Sequence, residues 1–391
     1  MRLTMQRLSH RSAFTAEPNA LTVALAERRR RGEPVLDLTV SNPTRAGLPY
    51  ESATILSGLS EARSLVYEPD PFGTESAREA LSQELRNRGL PGDPERLVLT
   101  ASTSEAYGFA FKLLCDPDDE VLVPAPSYPL LEHLARLEGV RIRPYRLAYD
   151  GAWHVDFGSV KAALTERTRA VVCVNPNNPT GSFLSRRELE ELGKLGLPIL
   201  SDEVFSSYAW RDDPERAGSA LELEEGLVIA LDGLSKFAAL PQLKLAWMVL
   251  GGSPSLVSDA RARLELIADS YLSVNTPVQS ALPSILASAE TTRRAISARV
   301  MENRRKVAER SSDSPVTQLH ADGGWYAVLR LPRTLSEDEW VLGLLERGVW
   351  VQPGYFYDFE DEAFVVVSLL TPEDELDAGM VELVSFVTAR A

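Results

Sequence analysis

The sequence runs to 391 residues, 44 % of them apolar and 25 % charged, with a formal net charge of −15. Such a chain can bury a large core and is expected to form one large and one smaller domain. A nucleic-acid partner is excluded, because neutralising phosphates needs a basic face. The one basic block, Arg28-Arg29-Arg30-Arg31, follows an apolar pattern and reads as a solvated helix end.

No apolar window is long enough for a membrane span, and the first fourteen residues lack the apolar segment of a signal peptide. Cys115 and Cys173 lie far apart in apolar surroundings and read as free thiols. The expectation is a cytoplasmic protein. The histidines (His10, His133, His154, His320) show no ligand spacing, so no metal is expected.

In chain order, residues 1–17 read as a loose arm, and a helix starts after Pro18-Asn19 and ends near Gly32. A strand over 35–40 enters the loop Ser41-Asn42-Pro43-Thr44-Arg45. The turn-rich stretch 67–73 precedes a helix over 74–87, with Thr74 as its cap. Strands over 97–100, 120–123, 141–146, 170–174, 199–201, 228–231 and 245–250 then alternate with helices over 104–115, 129–138, 157–165 and 186–195. This alternation predicts an α/β fold with a mostly parallel, doubly wound, seven-stranded sheet. The last two strands are too close for a helical crossover, so one is antiparallel. Helical patterns at 254–270, 276–288 and 291–312 follow. A smaller α/β lobe closes the chain, with strands at 325–329, near 349 and at 364–368, and helices over 335–347 and 372–389.

Ligands of open α/β sheets bind beyond the carboxyl ends of the strands, and four polar clusters fall there. Thr100-Ala101-Ser102-Thr103-Ser104-Glu105 runs from a strand into a helix, which suits a phosphate and equally a plain N-cap. Asn175-Pro176-Asn177-Asn178-Pro179-Thr180-Gly181 is a stiff loop able to hold an amide against a ligand. Asp202, in Ser201-Asp202-Glu203, ends an apolar strand and invites a cationic partner. Lys236, in Gly233-Leu234-Ser235-Lys236-Phe237, lies on a loop between two apolar strands. Partial desolvation there lowers its pKa and suits covalent amine chemistry, although the loop alone also fits an ordinary surface lysine.

The order and spacing of NPNNPTG, SDEVF and LSKF resemble those of the class I/II aminotransferase family, fold-type I pyridoxal-phosphate enzymes. The resemblance runs from SNP at 41–43 through YEPDPFG and APSYP to QPGYF at 352–356. It implies pyridoxal 5′-phosphate as cofactor, an amino donor and a keto acceptor as substrates, and a homodimer with shared active sites. By the same resemblance Lys236 is the Schiff-base lysine and proton shuttle, and Asp202 the partner of the pyridinium nitrogen. Asn178 holds the ring oxygen, Tyr128 stacks on the ring, and Thr103, Ser104 and Ser235 hold the phosphate. Tyr67 matches the tyrosine that reaches a neighbouring subunit's phosphate. The implied organisation is an arm and part of the small domain over 1–45, a large cofactor domain over 46–280 and a small domain over 281–391.

The chain departs from the family pattern at four places. Lys244 stands for an arginine on the phosphate, Gly233 for a serine, and Phe205 for a tyrosine that hydrogen-bonds the cofactor. The R-x-S triplet whose arginine grips the substrate carboxylate reads Val366-Val367-Ser368. Arg45 and Ser41, in the substrate-facing N-terminal loop, are the expected replacements. The alternatives left open are elimination, decarboxylation or an oxidase-type reaction on the same scaffold, and a non-catalytic cofactor-binding module.

Overall fold

In the computed structural model the described residues are 8–14, 19–361 and 363–391. The main sheet has the order Leu97–Thr100, Ala246–Gly252, Leu227–Gly233, Ile199–Asp202, Thr168–Val174, Glu120–Ala125, Arg141–Tyr149, Trp153–Val155. Ala246–Gly252 runs antiparallel to both neighbours, as the short connection requires. The sheet has eight strands where the sequence suggested seven. The extra one, Trp153–Val155, folds back antiparallel on Arg141–Tyr149 after Gly151, whose φ is +118°. Three residues centred on a histidine carry no apolar run, so nothing local announced it.

The inner strands are buried on both faces. Leu97, Leu99, Val171, Cys173, Val228 and Ala230 face one core, while Val98, Ala170, Val172, Ile229 and Leu231 face the other. This is the continuous apolar reading of parallel strands covered by helices on both sides.

The second lobe is a four-stranded antiparallel sheet, ordered Thr317–Gln318, Tyr326–Arg330, Phe364–Ser368, Gln352–Pro353. The strand expected over 35–40 shrinks to Leu36–Asp37, paired with Val349–Trp350. It stops because the Asp37 carboxylate accepts from both the N–H and the hydroxyl of Thr39, forming a local turn. The helices expected at 276–288 and 291–312 are one helix, Thr276–Ser311. The polar stretch that suggested a break is held helical by Glu290, which pairs with Arg293 and Arg294. Ile285 and Ala289 of this helix belong to the main core, Ile296 and Val300 to the second, so it ties the lobes together.

Thr74 does occupy the N-cap position of Glu75–Asn87, but its hydroxyl makes no capping bond and is buried without a partner. Of the expected arm, 8–14 are packed rather than loose: Arg136 donates to His10 and Ala13 carbonyls, and Phe14 meets His133 edge-on. The remainder of that arm, except for 8–14, lies outside the described residues. Among the described residues no helix is long and apolar enough to cross a membrane.

Candidate active site

Strand register brings the four polar clusters together: Asp202 pairs with both Val174, which leads into the asparagine loop, and Leu231, two residues before Gly233. Thr100 and Gly233 both pair with Ala246, so the helix start after Thr100 and the Ser235-Lys236 segment sit side by side. A Cβ on Gly233 would lie 2.7 Å from the Ala246 Cβ. That close approach accounts for glycine at a position where the resemblance implies serine.

Lys236 is not on an open loop. It lies on a one-turn helix, Leu234–Phe237, pinned by Leu234 N–H to the Leu245 carbonyl. Tyr208 donates its hydroxyl to the Lys236 carbonyl at 2.7 Å. The Nζ atom lies 5.5 Å from the ring centroids of both Phe205 and Trp325. Burial lowers the Lys236 pKa, and the nearby Asp202 carboxylate opposes this only in part. The free amine is thereby favoured.

Asp202 is buried at its strand end. It accepts from Tyr107 Oη at 3.1 Å and from the Val204 N–H at 3.2 Å. Burial pushes its pKa up to about 6, against the lowering effect of those two donors. Tyr107 was missed in the sequence, although it lies four residues after Thr103 on the same helix and so shares its face.

The neighbouring Glu203 is also buried, accepting from Ser201 Oγ and the Ala220 N–H, and burial pushes its pKa up to about 7 from 4.5. A carboxyl raised in the folded state keeps a proton that the unfolded chain releases. Its contribution is therefore full below pH 4.5 and is lost as pH rises to about 7. Glu203→Gln is expected to flatten stability between pH 4.5 and about 7 by up to about 3 kcal/mol, read by chemical denaturation. An unchanged pH slope would remove Glu203 from the balance.

In the asparagine loop, two side chains build structure. Asn175 accepts from Leu184 N–H and donates to the Ala217 carbonyl. Asn177 donates to the Pro126 carbonyl and accepts from Thr180 Oγ1, joining this loop to Pro126-Ser127-Tyr128. Asn178 is left over: it is 8 % exposed and its Oδ1 is buried without a partner. Tyr128 is partly exposed, its hydroxyl pKa raised by burial and by the Asp202 charge.

Thr103 and Ser104 are the first residues of Thr103–Leu114, and Ser102 caps that helix by accepting from the Glu105 N–H. Ser235 is half-buried, and Lys244 is exposed with no ion-pair partner among the described residues. Ser41 is close enough to Tyr326 to lower its hydroxyl pKa, but burial outweighs this and pushes it up to about 12; the Tyr326 ring lies 6.2 Å from Phe205. Tyr326 and Trp325 were also missed.

Two expected residues are not gathered with these. Arg45 is exposed at the end of Pro43–Arg45. Tyr67 is 77 % exposed beside a separate small cleft lined by Asp70, Phe109 and Gln279. Val366 is 0 % exposed, packed with Leu319, Val328, Tyr357 and Phe364. The place of the expected carboxylate cation is thus filled with apolar side chains.

The family model of aminotransferase class I and II matches residues 34–380. The chain belongs to that family. Glutamate-pyruvate aminotransferase AlaA of Escherichia coli (strain K12) is 30 % identical over 291 residues, 73 % of this chain and 72 % of that protein. S-alkyl-thiohydroximate lyase SUR1 of Arabidopsis thaliana is 31 % identical over 224 residues, 55 % of this chain and 48 % of that protein. The alanine aminotransferase structure from Pyrococcus furiosus superposes with a TM-score of 0.88 at 24 % identity, covering 98 % of this chain and all of that one. The fold is therefore fold-type I, and this class I/II aminotransferase uses pyridoxal 5′-phosphate.

The residues present fit that cofactor. Asp202 is a buried carboxylate with neutral donors around it, suited to a protonated ring nitrogen. Asn178 is a buried amide whose NH2 donates to no other residue among the described residues, leaving it free to donate to the ring oxygen. Lys236 is a desolvated amine within the same pocket, facing two aromatic rings.

Proposed function

We infer that this aminotransferase works through a covalent bond from Lys236 Nζ to the cofactor, moving an amino group from a small donor to a keto acceptor at an atypical substrate-carboxylate site. The desolvated Lys236 amine beside Asp202 is the observation that carries this reading. When bound, pyridoxal phosphate supplies an aldehyde that condenses with amines and a ring that accepts the electron pair released at Cα. Lys236, held as the free amine, would bond the cofactor's aldehyde and would hold and return the proton at the donor's Cα. Asp202, braced by Tyr107, keeps the ring nitrogen protonated. Asn178 holds the ring oxygen with no help from Phe205, and Tyr128 stacks on the ring. Thr103, Ser104, Ser235 and Lys244 hold the phosphate; Lys244 acts as a point charge without an arginine's fork. The highly exposed Tyr67 supports a homodimer with shared sites, in which it reaches the partner's phosphate. The chain divides into a large unit over 46–280 and a small one from 1–45 with 281–391, and functions in the cytoplasm.

The substrate side is the altered half. With Val366 in an apolar cluster, a donor's α-carboxylate lacks a bidentate partner worth about 1.5–3 kcal/mol. Binding of glutamate, aspartate and alanine is expected to be roughly ten- to a hundredfold weaker than with such a partner. Arg45, four residues after Ser41 and exposed without an ion-pair partner among the described residues, is the free cation proposed to swing in for what carboxylate binding remains. Single-turnover spectroscopy across a donor panel tests this, with Arg45→Ala expected to weaken carboxylate donors further. Half-saturation by those amino acids at about 1 mM or below, unaffected by Arg45→Ala, would defeat it. The likeness to a lyase favours elimination as the second reading. Mass spectrometry of the products separates the two, a keto acid marking transfer and an unsaturated or fragmented product marking elimination.

A further inference from the structure

A cavity of about 410 Å³ opens between the lobes, lined by Tyr149 and Trp153 of the main sheet's edge and by Arg330, Phe359 and Phe364 of the second lobe. Its aromatic wall is continuous: Tyr149–Trp153, Trp153–Phe359 and Phe359–Phe364 centroids lie 5.0, 6.0 and 4.8 Å apart. Pro126, two residues before Tyr128, lies on its wall, but Lys236, Asp202, Asn178 and Tyr128 do not. Tyr326, next to Phe205, and Arg330 are the two ends of one strand, roughly 13 Å apart at the usual rise. Val328 and its register partner Val366 fill the interval on the same face, both buried.

The cavity carries donors that lack acceptors. The Trp153 indole N–H is buried with no partner among the described residues. The Arg330 side chain, exposed to the cavity, has neither an ion pair nor a hydrogen bond among the described residues. The other two arginines at the rim are already compensated: Arg146 pairs with Asp156 at 2.6 Å and Glu360 at 3.8 Å, and Arg333 with Asp361 at 3.3 Å. A buried N–H without an acceptor is unfavourable, and it leaves the Trp153 ring without a polar tether at the cavity wall. A guanidinium beside aromatic faces is a fitting seat for a planar anion.

We propose that this interlobe cleft is a second binding site, taking a small organic anion with a flat apolar body, its carboxylate or phosphate head on Arg330 and its body against Trp153 and Phe359. Because the walls come from both lobes, occupancy ties one lobe to the other.

The test titrates holoenzyme with phenylacetate, phenyl phosphate and neutral benzyl alcohol, followed by calorimetry and tryptophan fluorescence. At least one anion is expected to bind saturably and more tightly than the alcohol, and the better of the two identifies the head group. Arg330→Ala, at an exposed position, is expected to keep turnover and to weaken that binding about ten- to a hundredfold. Trp153→Phe is expected to remove the fluorescence change; should that variant misfold, Arg330→Ala decides alone. Saturating amino donor is expected to leave the anion's affinity unchanged. No saturable binding by either anion, equal binding of benzyl alcohol, indifference to Arg330→Ala, or competition with the amino donor would each overturn the proposal.

Discussion

Lys236→Ala is expected to lose turnover by about ten-thousandfold or more while the protein stays folded. Two roles rest on one atom: the amine that bonds the cofactor and the base that moves the Cα proton, and positioned proton transfer alone contributes typically 10²–10⁴-fold. The fold tolerates the change because the backbone of the Leu234–Phe237 turn does the local work. Leu234 N–H, and the Lys236 carbonyl that accepts from Tyr208, are untouched by the substitution. Removing the buried amine also removes a group whose ammonium form is penalised by desolvation, so no large loss of stability is expected. The measurements are single-turnover kinetics beside a denaturation curve. Activity within tenfold of wild type in a folded variant would move the chemistry to another residue.

Asp202→Asn is the second large effect, expected to cut turnover roughly a hundred- to a thousandfold and cofactor affinity far less. The substitution is nearly isosteric. The asparagine oxygen can still accept from the Val204 N–H, and the Tyr107 hydroxyl, which donated to the other carboxylate oxygen, can instead accept from the new amide N–H, so the local structure survives. What disappears is the negative charge, in a buried site where removing one preorganised electrostatic partner costs about 10²–10³. That charge matters most when electrons accumulate on the ring, so the loss falls on turnover rather than on ground-state binding. Steady-state kinetics and a cofactor titration on the same preparation check it. Unchanged turnover, or equal losses in both quantities, would count against the assigned role.

The parts of the site written in contiguous residues were legible in the sequence. The asparagine loop, Ser201-Asp202-Glu203 and the lysine segment each sit at the end of an apolar run, and the fold places them where such runs end. What the sequence hid comes from contacts across long separations. Tyr107 meets Asp202 ninety-five residues away, and only the parallel packing of sheet and helix decides that. Trp325 and Tyr326 reach Lys236 and Phe205 because the second lobe leans over the strand ends, which no local pattern records. The fold shows the same division. Long apolar strands were readable, while Trp153–Val155 and the unbroken Thr276–Ser311 helix depend on a pairing partner and on two cores facing one helix. Val366 is the instructive case. Its sequence showed that an arginine was missing, and the packing with Tyr357 and Phe364 shows that the space is filled, not vacant.

The central claim, a covalent bond between the cofactor and Lys236, is tested most directly by borohydride reduction of the holoenzyme followed by peptide mass spectrometry. The expected result is a single pyridoxyl group on the peptide carrying Lys236, absent from the Lys236→Ala protein treated in the same way. A pyridoxyl group on Lys244 or any other lysine, or no stable adduct from protein that holds the cofactor, would contradict it.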